Sequence, residues 1–269
     1  MNHLYGLIGK KLSHSYSPKI HFAIMSALNI QGDYELYETD QSSLPLLMNR
    51  LIQMGVRGIN VTIPYKIEIM KFLDDISTPA KTIGSVNTLS FTKDGIKGDN
   101  TDYDGFKMLL DYYNVSIKGN KFVILGTGGA AKSVIQCLSD NDAKKIHIVS
   151  RDKDQRMEGF RDFEIISYRT LETIKKEVII NCTPCGMYPN IEASPVSLEQ
   201  IKESETCIDL IYNPSETLFL KRAKSLNIKH INGLYMLIGQ AVRAQEIWND
   251  ISIDKCIVAR IYQMLSKER

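Results

Sequence analysis

Lys66 closes the stretch Asn60-Val61-Thr62-Ile63-Pro64-Tyr65-Lys66, where an apolar run passes through a proline elbow and ends on an amine. Asn60 and Thr62 put an amide and a hydroxyl on the same elbow. A lysine held there suits two tasks, donating to an oxygen that gains negative charge or carrying a proton. The bland reading is a solvated lysine in a helix's first turn. Further on, Gly98-Asp99-Asn100-Thr101-Asp102 is a dense polar cluster ahead of the periodic run Phe106, Met108, Leu109, Leu110. Asp102 reads either as a helix cap or as the acidic partner of Lys66. Near the start of the chain, Ser15 and Ser17 stand two residues apart before Pro18. Pro18 suits the first turn of a helix, with Ser17 as its cap, but two hydroxyls facing one way at a helix N-terminus also suit a carboxylate.

The second chemical signature follows the apolar run Lys121–Leu125. Gly126-Thr127-Gly128-Gly129-Ala130-Ala131 has the G-x-G-x-x-A form of a dinucleotide loop: Gly126 for the turn, Gly128 for close approach to a pyrophosphate, Ala131 for tight helix packing. A helix (Val134, Ile135, Leu138) and a strand (Lys145–Val149) follow in the places that a mononucleotide-binding unit requires. The next strand end bears Ser150 and Arg151, where an NAD-binding chain usually carries Asp or Glu. A serine and a guanidinium suit a ribose 2′-phosphate, which favours NADP. Asp152 is repulsive to that phosphate unless Lys153 or Arg156 compensates, which leaves NAD open as a secondary cofactor.

The elements that must position these residues alternate. Leu4–Ile8, Tyr34–Tyr37 and Gly58–Thr62 read as strands, Ile20–Leu28 and Leu44–Met54 as helices, and the run from Ile67 to Leu73 as an amphipathic helix opened by Lys66. Leu89–Phe91 and Ile96–Gly98 form a hairpin about Lys93-Asp94-Gly95. Strands Val178–Ile180, Cys207–Ile211 and Lys229–Ile231 lead into loops bearing Thr183, Tyr212 and Gly233, at the carboxyl ends where an open parallel sheet binds ligands. Leu234–Trp248 and Ile253–Leu265 read as closing helices, with Gln240 on the first as a surface amide or a donor to substrate.

Whole-chain properties narrow the partner. The 269 residues are 43% apolar and 24% charged with a net charge of +2, which indicates about two domains and argues against nucleic acid or an anionic membrane. No run approaches the ~18 apolar residues of a membrane helix, and the first ten residues lack a signal-peptide pattern, so a cytoplasmic protein is expected. Five scattered cysteines describe no disulfide framework. Cys182-Thr183-Pro184-Cys185 has C-x-x-C spacing, but no second pair lies nearby, and two small residues that happen to fall three apart is the simpler reading. No metal site is expected.

Taken together, these pieces resemble the shikimate dehydrogenase family: Ser15-Tyr16-Ser17-Pro18, Asn60 to Lys66, Gly84 to Thr88, Asn100-Thr101-Asp102, the Gly126 loop, Thr183 to Met187, Asp209 to Pro214, and Gly233 to Gln240, in order over nearly the whole chain. The resemblance implies an α/β fold of two domains with a cleft between them. An α/β substrate domain would span residues 1–103, a Rossmann-type NADP-binding domain 104–237, and C-terminal helices 238–269 would return to the first. It implies NADPH-dependent reduction of 3-dehydroshikimate, with Lys66 and Asp102 as the catalytic pair. Ser15 and Ser17 would hold the substrate carboxylate, and Thr62, Asn87 and Gln240 its ring hydroxyls or carboxylate, with Tyr212 at the substrate's edge. Gly126, Thr127, Gly128, Gly129 and Ala130 would take the pyrophosphate, and Ser150 and Arg151 the adenosine ribose end. Thr183, Gly233 and Met236 would lie near the nicotinamide. The family's Asn-Arg-Thr cofactor motif is Ser150-Arg151-Asp152 here. Rival readings are a quinate or dual quinate/shikimate dehydrogenase and a catalytically silent NADP(H) sensor. The partner would be a small molecule and the protein a monomer or homodimer.

Overall fold

Short apolar runs bounded by Gly, Pro and Asn become strands, and the amphipathic runs between them become the crossovers that parallel pairing demands. The structure, a computed structural model, describes residues 3–151 and 163–267, so Asp152, Lys153 and Arg156 lie outside the described residues. The chain divides into two units, Met1–Gly105 with Leu237–Arg269, and Phe106–Met236.

In the first unit β1 (His3–Gly9), buried from Tyr5 onward, pairs in parallel with β2 (Gly32–Glu38) and β3 (Gly58–Val61). Helices α1 (Ser17–Ala27) and α2 (Leu44–Gln53) make the two crossovers. A two-residue β4 (Asp75–Ile76) and α3 (Thr78–Ile83) follow, and α3 stops at Gly84, whose φ of +69° is the left-handed C-cap that glycine adopts without strain. Next, β5 (Thr88–Thr92) and β6 (Gly95–Asp99) form the expected hairpin. β3 pairs antiparallel with β5, so the sheet β2-β1-β3-β5-β6-β4 is mixed. One expectation fails here. After Lys66 the chain makes turns and a 3₁₀ segment, Glu68–Phe72, in place of an amphipathic α-helix. Only Ile69 of that segment is fully buried, which suits a single turn pressed on a sheet end better than a helix with a continuous stripe.

The helix α4 (Asp102–Tyr112) leads into the second unit, whose strands are β7 (Lys121–Leu125), β8 (Lys145–Val149), β9 (Glu164–Ile166), β10 (Val178–Asn181), β11 (Thr206–Asp209) and β12 (Lys229–Asn232). Helices α5 (Gly129–Asp140), α6 (Leu198–Ile201) and α7 (Leu218–Ser225) lie between them. All five pairings are parallel and the order is β12-β11-β10-β7-β8-β9. Counted within the unit this is the 3-2-1-4-5-6 order of a Rossmann sheet, whose direction of winding reverses between β7 and β10. The chain then returns through α8 (Leu234–Asn249) and ends in α9 (Lys255–Lys267). Within the first unit, Trp248 of α8 stacks on Tyr5 and donates its indole N–H to the Leu89 carbonyl at 2.9 Å. A Cβ on Gly58 would lie 2.2 Å from that indole, so the glycine that opens β3 exists to admit the tryptophan. Among the described residues no helix is long and apolar enough to cross a membrane.

Candidate functional site

The lysine at the elbow is fixed through its neighbours. Thr62 N–H donates to the Ile8 carbonyl at 2.9 Å as β3 ends, and Tyr65 N–H donates back to Thr62 O at 3.0 Å to close the turn. The buried Tyr65 ring anchors the elbow, with its hydroxyl donating to Thr39 O at 2.5 Å. The Lys66 carbonyl accepts from Val86 N–H at 2.8 Å. From that pinned backbone Lys66 Nζ reaches Asp102 Oδ2 at 2.6 Å. The Asp102 side chain is 2% exposed and that of Lys66 13%, so the lysine is the accessible member of the pair.

Asp102 opens α4, where the helix N-terminus favours a carboxylate. Its own N–H donates to Asn100 Oδ1 at 3.1 Å, and Asn100 Nδ2 donates to Ser85 O and Oγ at 2.9 and 3.0 Å. The polar run before α4 is therefore a scaffold for one carboxylate, and Asp102 is more than a cap. Asn87, 1% exposed, uses Oδ1 to accept from Thr101 N–H at 2.8 Å and from the Thr88 hydroxyl at 3.0 Å. Its Nδ2 donates to Gln240 Oε1 at 3.3 Å. Ser15 and Ser17 also meet, since Ser17 N–H donates to Ser15 Oγ at 3.2 Å. The cap of α1 is Tyr16, and Ser17 is the first helical residue, which corrects its assignment as the cap. The first unit thus holds Ser15, Ser17, Thr62, Lys66, Asn87, Asp102 and Gln240. Sequence reasoning quoted Ser85, Thr88 and Thr101 within its motifs but gave them no role; their hydroxyls complete the support through bonds between a strand end and separate loops, which leave no periodic trace.

The second unit holds the remaining predicted residues. Gly126 follows β7 with φ +102°, a conformation that L side chains rarely adopt, and a Cβ there would lie 2.8 Å from Thr183 Cγ2. The loops after β7 and β10 are therefore in contact at the point where the sheet's winding reverses. Gly128 differs, because a Cβ on it would meet nothing within 4 Å. No internal packing demands a glycine at 128; a ligand approaching the backbone would. Gly128 is the N-cap of the twelve-residue α5, makes no side-chain cap, and is followed by Gly129 and Ala130 in the first turn. Such an N-terminus suits a pyrophosphate, so this loop fits the dinucleotide expected for it. Ala131 is fully buried against the sheet, as close helix packing requires.

Ser150 and the exposed Arg151 stand at the carboxyl end of β8, with Ser150 N–H donating to Ile166 O at 3.2 Å. Thr183 is held by Asn181, whose Oδ1 accepts from Thr183 N–H at 3.0 Å and Oγ1 at 2.7 Å. Asn181 Nδ2 in turn donates to Asp209 Oδ1 at 3.0 Å, and the Thr217 hydroxyl donates to Asp209 Oδ2 at 2.6 Å. Burial pushes the Asp209 carboxyl up to about 7, against those hydrogen bonds. Gly233 is required outright, since a Cβ would lie 2.0 Å from Leu210 O, and Met236 is buried behind it. Tyr212 lies in the loop after β11, in this unit and not with the other predicted substrate residues. Cys182 and Cys185 are free, and burial, then the Asp209 charge, pushes both thiols upward, which opposes the thiolate that redox chemistry needs.

Comparison with known proteins places the whole chain beside one family. Residues 7–89 match the family model described as the shikimate dehydrogenase substrate binding domain. The chain is 48% identical over 266 residues to the shikimate dehydrogenase (NADP(+)) of Clostridium perfringens (strain 13 / Type A), a match that covers 97% of this chain and 98% of that one. It superposes at a TM-score of 0.96 and 48% identity on a chorismate mutase/shikimate 5-dehydrogenase fusion protein from Clostridium acetobutylicum, with 100% of this chain and 98% of that chain covered. Shikimate 5-dehydrogenase from Thermus thermophilus, in complex with NADP(H) and shikimate, aligns at a TM-score of 0.87 and 27% identity over 97% of this chain and 99% of that one.

Proposed function

The chain belongs to the shikimate dehydrogenase family, and from that premise we propose that Lys66 and Asp102 are the catalytic pair with which it interconverts 3-dehydroshikimate and shikimate. It is an NADP-dependent oxidoreductase of aromatic amino-acid biosynthesis. When bound, NADP(H) supplies or takes up the hydride. Reduction of the ketone leaves negative charge on its oxygen and calls for one proton. The Lys66 ammonium donates to that oxygen, and the Lys66–Asp102 pair gives up the proton in reduction and recovers it in oxidation. Asp102, 2.6 Å from Nζ, holds the ammonium against the charge it must meet.

The other roles are those that the family resemblance implies. Ser15 and Ser17 bind the carboxylate, while Thr62, Asn87 and Gln240 take the ring hydroxyls or the carboxylate. Tyr212 meets the substrate's edge. Gly126 to Ala130 take the pyrophosphate, and Ser150 with Arg151 the 2′-phosphate end. Thr183, Gly233 and Met236 form the nicotinamide side. In this reading residues 1–103 with 238–269 are the substrate domain and 104–237 the nucleotide domain. The protein works in the cytoplasm as a monomer or homodimer, which sedimentation of the purified protein distinguishes from larger assemblies.

The observation that carries the proposal is the 2.6 Å Lys66–Asp102 pair, its carboxylate buried and its amine accessible, in the unit whose residues 7–89 match a substrate-binding domain. It is tested by initial rates of NADP⁺ and NAD⁺ reduction with shikimate and with quinate. Shikimate with NADP⁺ is expected to be fastest. No reduction with either acid would make the chain a silent binder, and faster turnover of quinate would make it a quinate dehydrogenase.

A further inference from the structure

Behind the substrate residues of the first unit lies a line of buried polar groups that the reaction does not use. His21 of α1 is 1% exposed. Its ring stacks on Tyr34, centroids 4.1 Å apart, and on Trp248 at 5.5 Å. Gln245 Nε2 lies 3.0 Å from His21 Nδ1, while Gln245 Oε1 accepts from Asn249 Nδ2 at 2.9 Å. The NH₂ end of Gln245 therefore faces the ring, and Nδ1 is the acceptor. That leaves the proton on Nε2 and makes the ring's side-chain hydrogen bond with Asn60 a donation to Oδ1. Burial holds the imidazole down at about 3, so the ring is neutral and this tautomer applies.

Asn60 receives a second donor at the same atom, the Tyr34 hydroxyl at 2.9 Å. The amide of Asn60 has one acceptable orientation, because a flip would set NH₂ against the His21 N–H and Oδ1 against the Asn87 carbonyl, which accepts from Nδ2 at 3.4 Å. In that orientation Asn60 Nδ2 donates to Thr88 Oγ1 at 3.2 Å, the Thr88 hydroxyl donates to Asn87 Oδ1 at 3.0 Å, and Asn87 Nδ2 donates to Gln240 Oε1 at 3.3 Å. Each bond from Gln245 to Gln240 runs donor to acceptor in the same direction. The last acceptor is the Gln240 carbonyl, so its NH₂ is the end that can donate to a substrate oxygen. Tyr34 is also hydrogen-bonded to the Ser17 side chain, which ties the carboxylate-binding end to the same line.

We infer that His21 is a positioning residue for the substrate: its N–H, together with the Asn87 carbonyl, holds the Asn60 amide, and Asn60 through Thr88 braces the Asn87 side chain, held also by Thr101 N–H, that meets Gln240. The inference rests on the reading that Ser17, Asn87 and Gln240 hold shikimate. A neutral imidazole performs this role because it offers one acceptor and one donor on opposite sides of a flat ring that fits between two aromatic faces. A glutamine amide offers the same two functions, and leucine neither.

The test is steady-state oxidation of shikimate by NADP⁺ with the wild type, His21→Leu, His21→Gln and Tyr34→Phe. His21→Leu is expected to raise KM for shikimate about tenfold, roughly 1.4 kcal/mol, with KM for NADP⁺ within about twofold of wild type. His21→Gln restores KM for shikimate to within about threefold, an amount that one hydrogen bond of imperfect geometry accounts for. An unchanged KM for shikimate in His21→Leu, an equal rise of both KM values, or no rescue by glutamine overturns the inference while the functional reading stands. Wild-type protein inert toward shikimate overturns both. If His21→Leu yields no folded protein, Tyr34→Phe decides the matter: it deletes one hydroxyl, is expected to raise KM for shikimate about fivefold, and refutes the inference by leaving KM unaltered.

Discussion

At the scale of single residues, the two members of each pair do different work. Replacing Lys66 by Met keeps the stem and removes the charge, so kcat for shikimate oxidation is expected to fall about 10²- to 10⁴-fold while KM changes far less. Turnover like that of the wild type would refute the assignment. The glycine loop allows a cleaner separation. Gly126→Ala meets both a positive φ and Thr183 at 2.8 Å, so it should lower the melting temperature and weaken NADP⁺ binding together. Gly128→Ala enters open space, so the melting temperature should stay within about 2 °C, a shift worth under ~1 kcal/mol, while KM for NADP⁺ rises. A normal KM there would mean that nothing approaches that backbone. These residues were legible in the sequence because each motif is local: a lysine at a proline elbow, two serines before a proline, glycines after a strand. The contact of Asn87 with Gln240 joins residues 153 apart. No local spacing encodes such a pair, and only the family resemblance placed both on the substrate.

Elements follow from the sequence where burial imposes a pattern and fail where it does not. The fully buried runs Gly58–Val61, Val178–Asn181 and Thr206–Asp209 are strands as expected. The four-residue α6, the six-residue α3 and the three-residue β9 escaped notice because they are too short to show a period. The segment after Lys66 misled for a related reason, since spaced apolar residues over one turn look alike in α and 3₁₀ geometry. How α8 closes the first sheet was equally hidden. Gly58 reads as a strand-opening glycine, yet its reason is Trp248, far along the chain. Gly58→Ala pushes a methyl into that indole, whose stack with Tyr5 and bond to Leu89 O leave it nowhere to go. A loss of about 2–3 kcal/mol is expected, read as a lower urea midpoint at unchanged slope. An unchanged midpoint would show that α8 can shift at little cost.

At the scale of the whole molecule, each unit buries a titratable group whose linkage has the opposite sign. His21, at about 3 when folded against an ordinary value of 6.5, binds fewer protons folded than unfolded, so its unit loses stability as pH falls from 6.5 toward 3. Asp209, at about 7 against 3.8, binds more protons folded, so its unit loses stability as pH rises from 3.8 toward 7. Each slope is at most about 1.4 kcal/mol per pH unit. Acidifying from pH 7 to pH 5 should therefore reduce hydrogen-exchange protection in β1 and β3 relative to β7 and β10, after correction for intrinsic exchange. His21→Gln should abolish the first change and Asp209→Asn the second; equal shifts in both units would contradict the assignment. The split of the first unit also bears on how the chain is made. Gly105 leaves the ribosome before the about 130 residues of the second unit, so at about 5–20 residues per second Leu237 follows about 7–26 s later. During that interval the second unit is being completed, and Tyr5, Met25 and Tyr34 have no Trp248 or Ala244 to cover them. The nascent first unit thus waits with an open apolar face and a His21 that lacks Gln245 and Trp248, and its folding is gated by the arrival of α8.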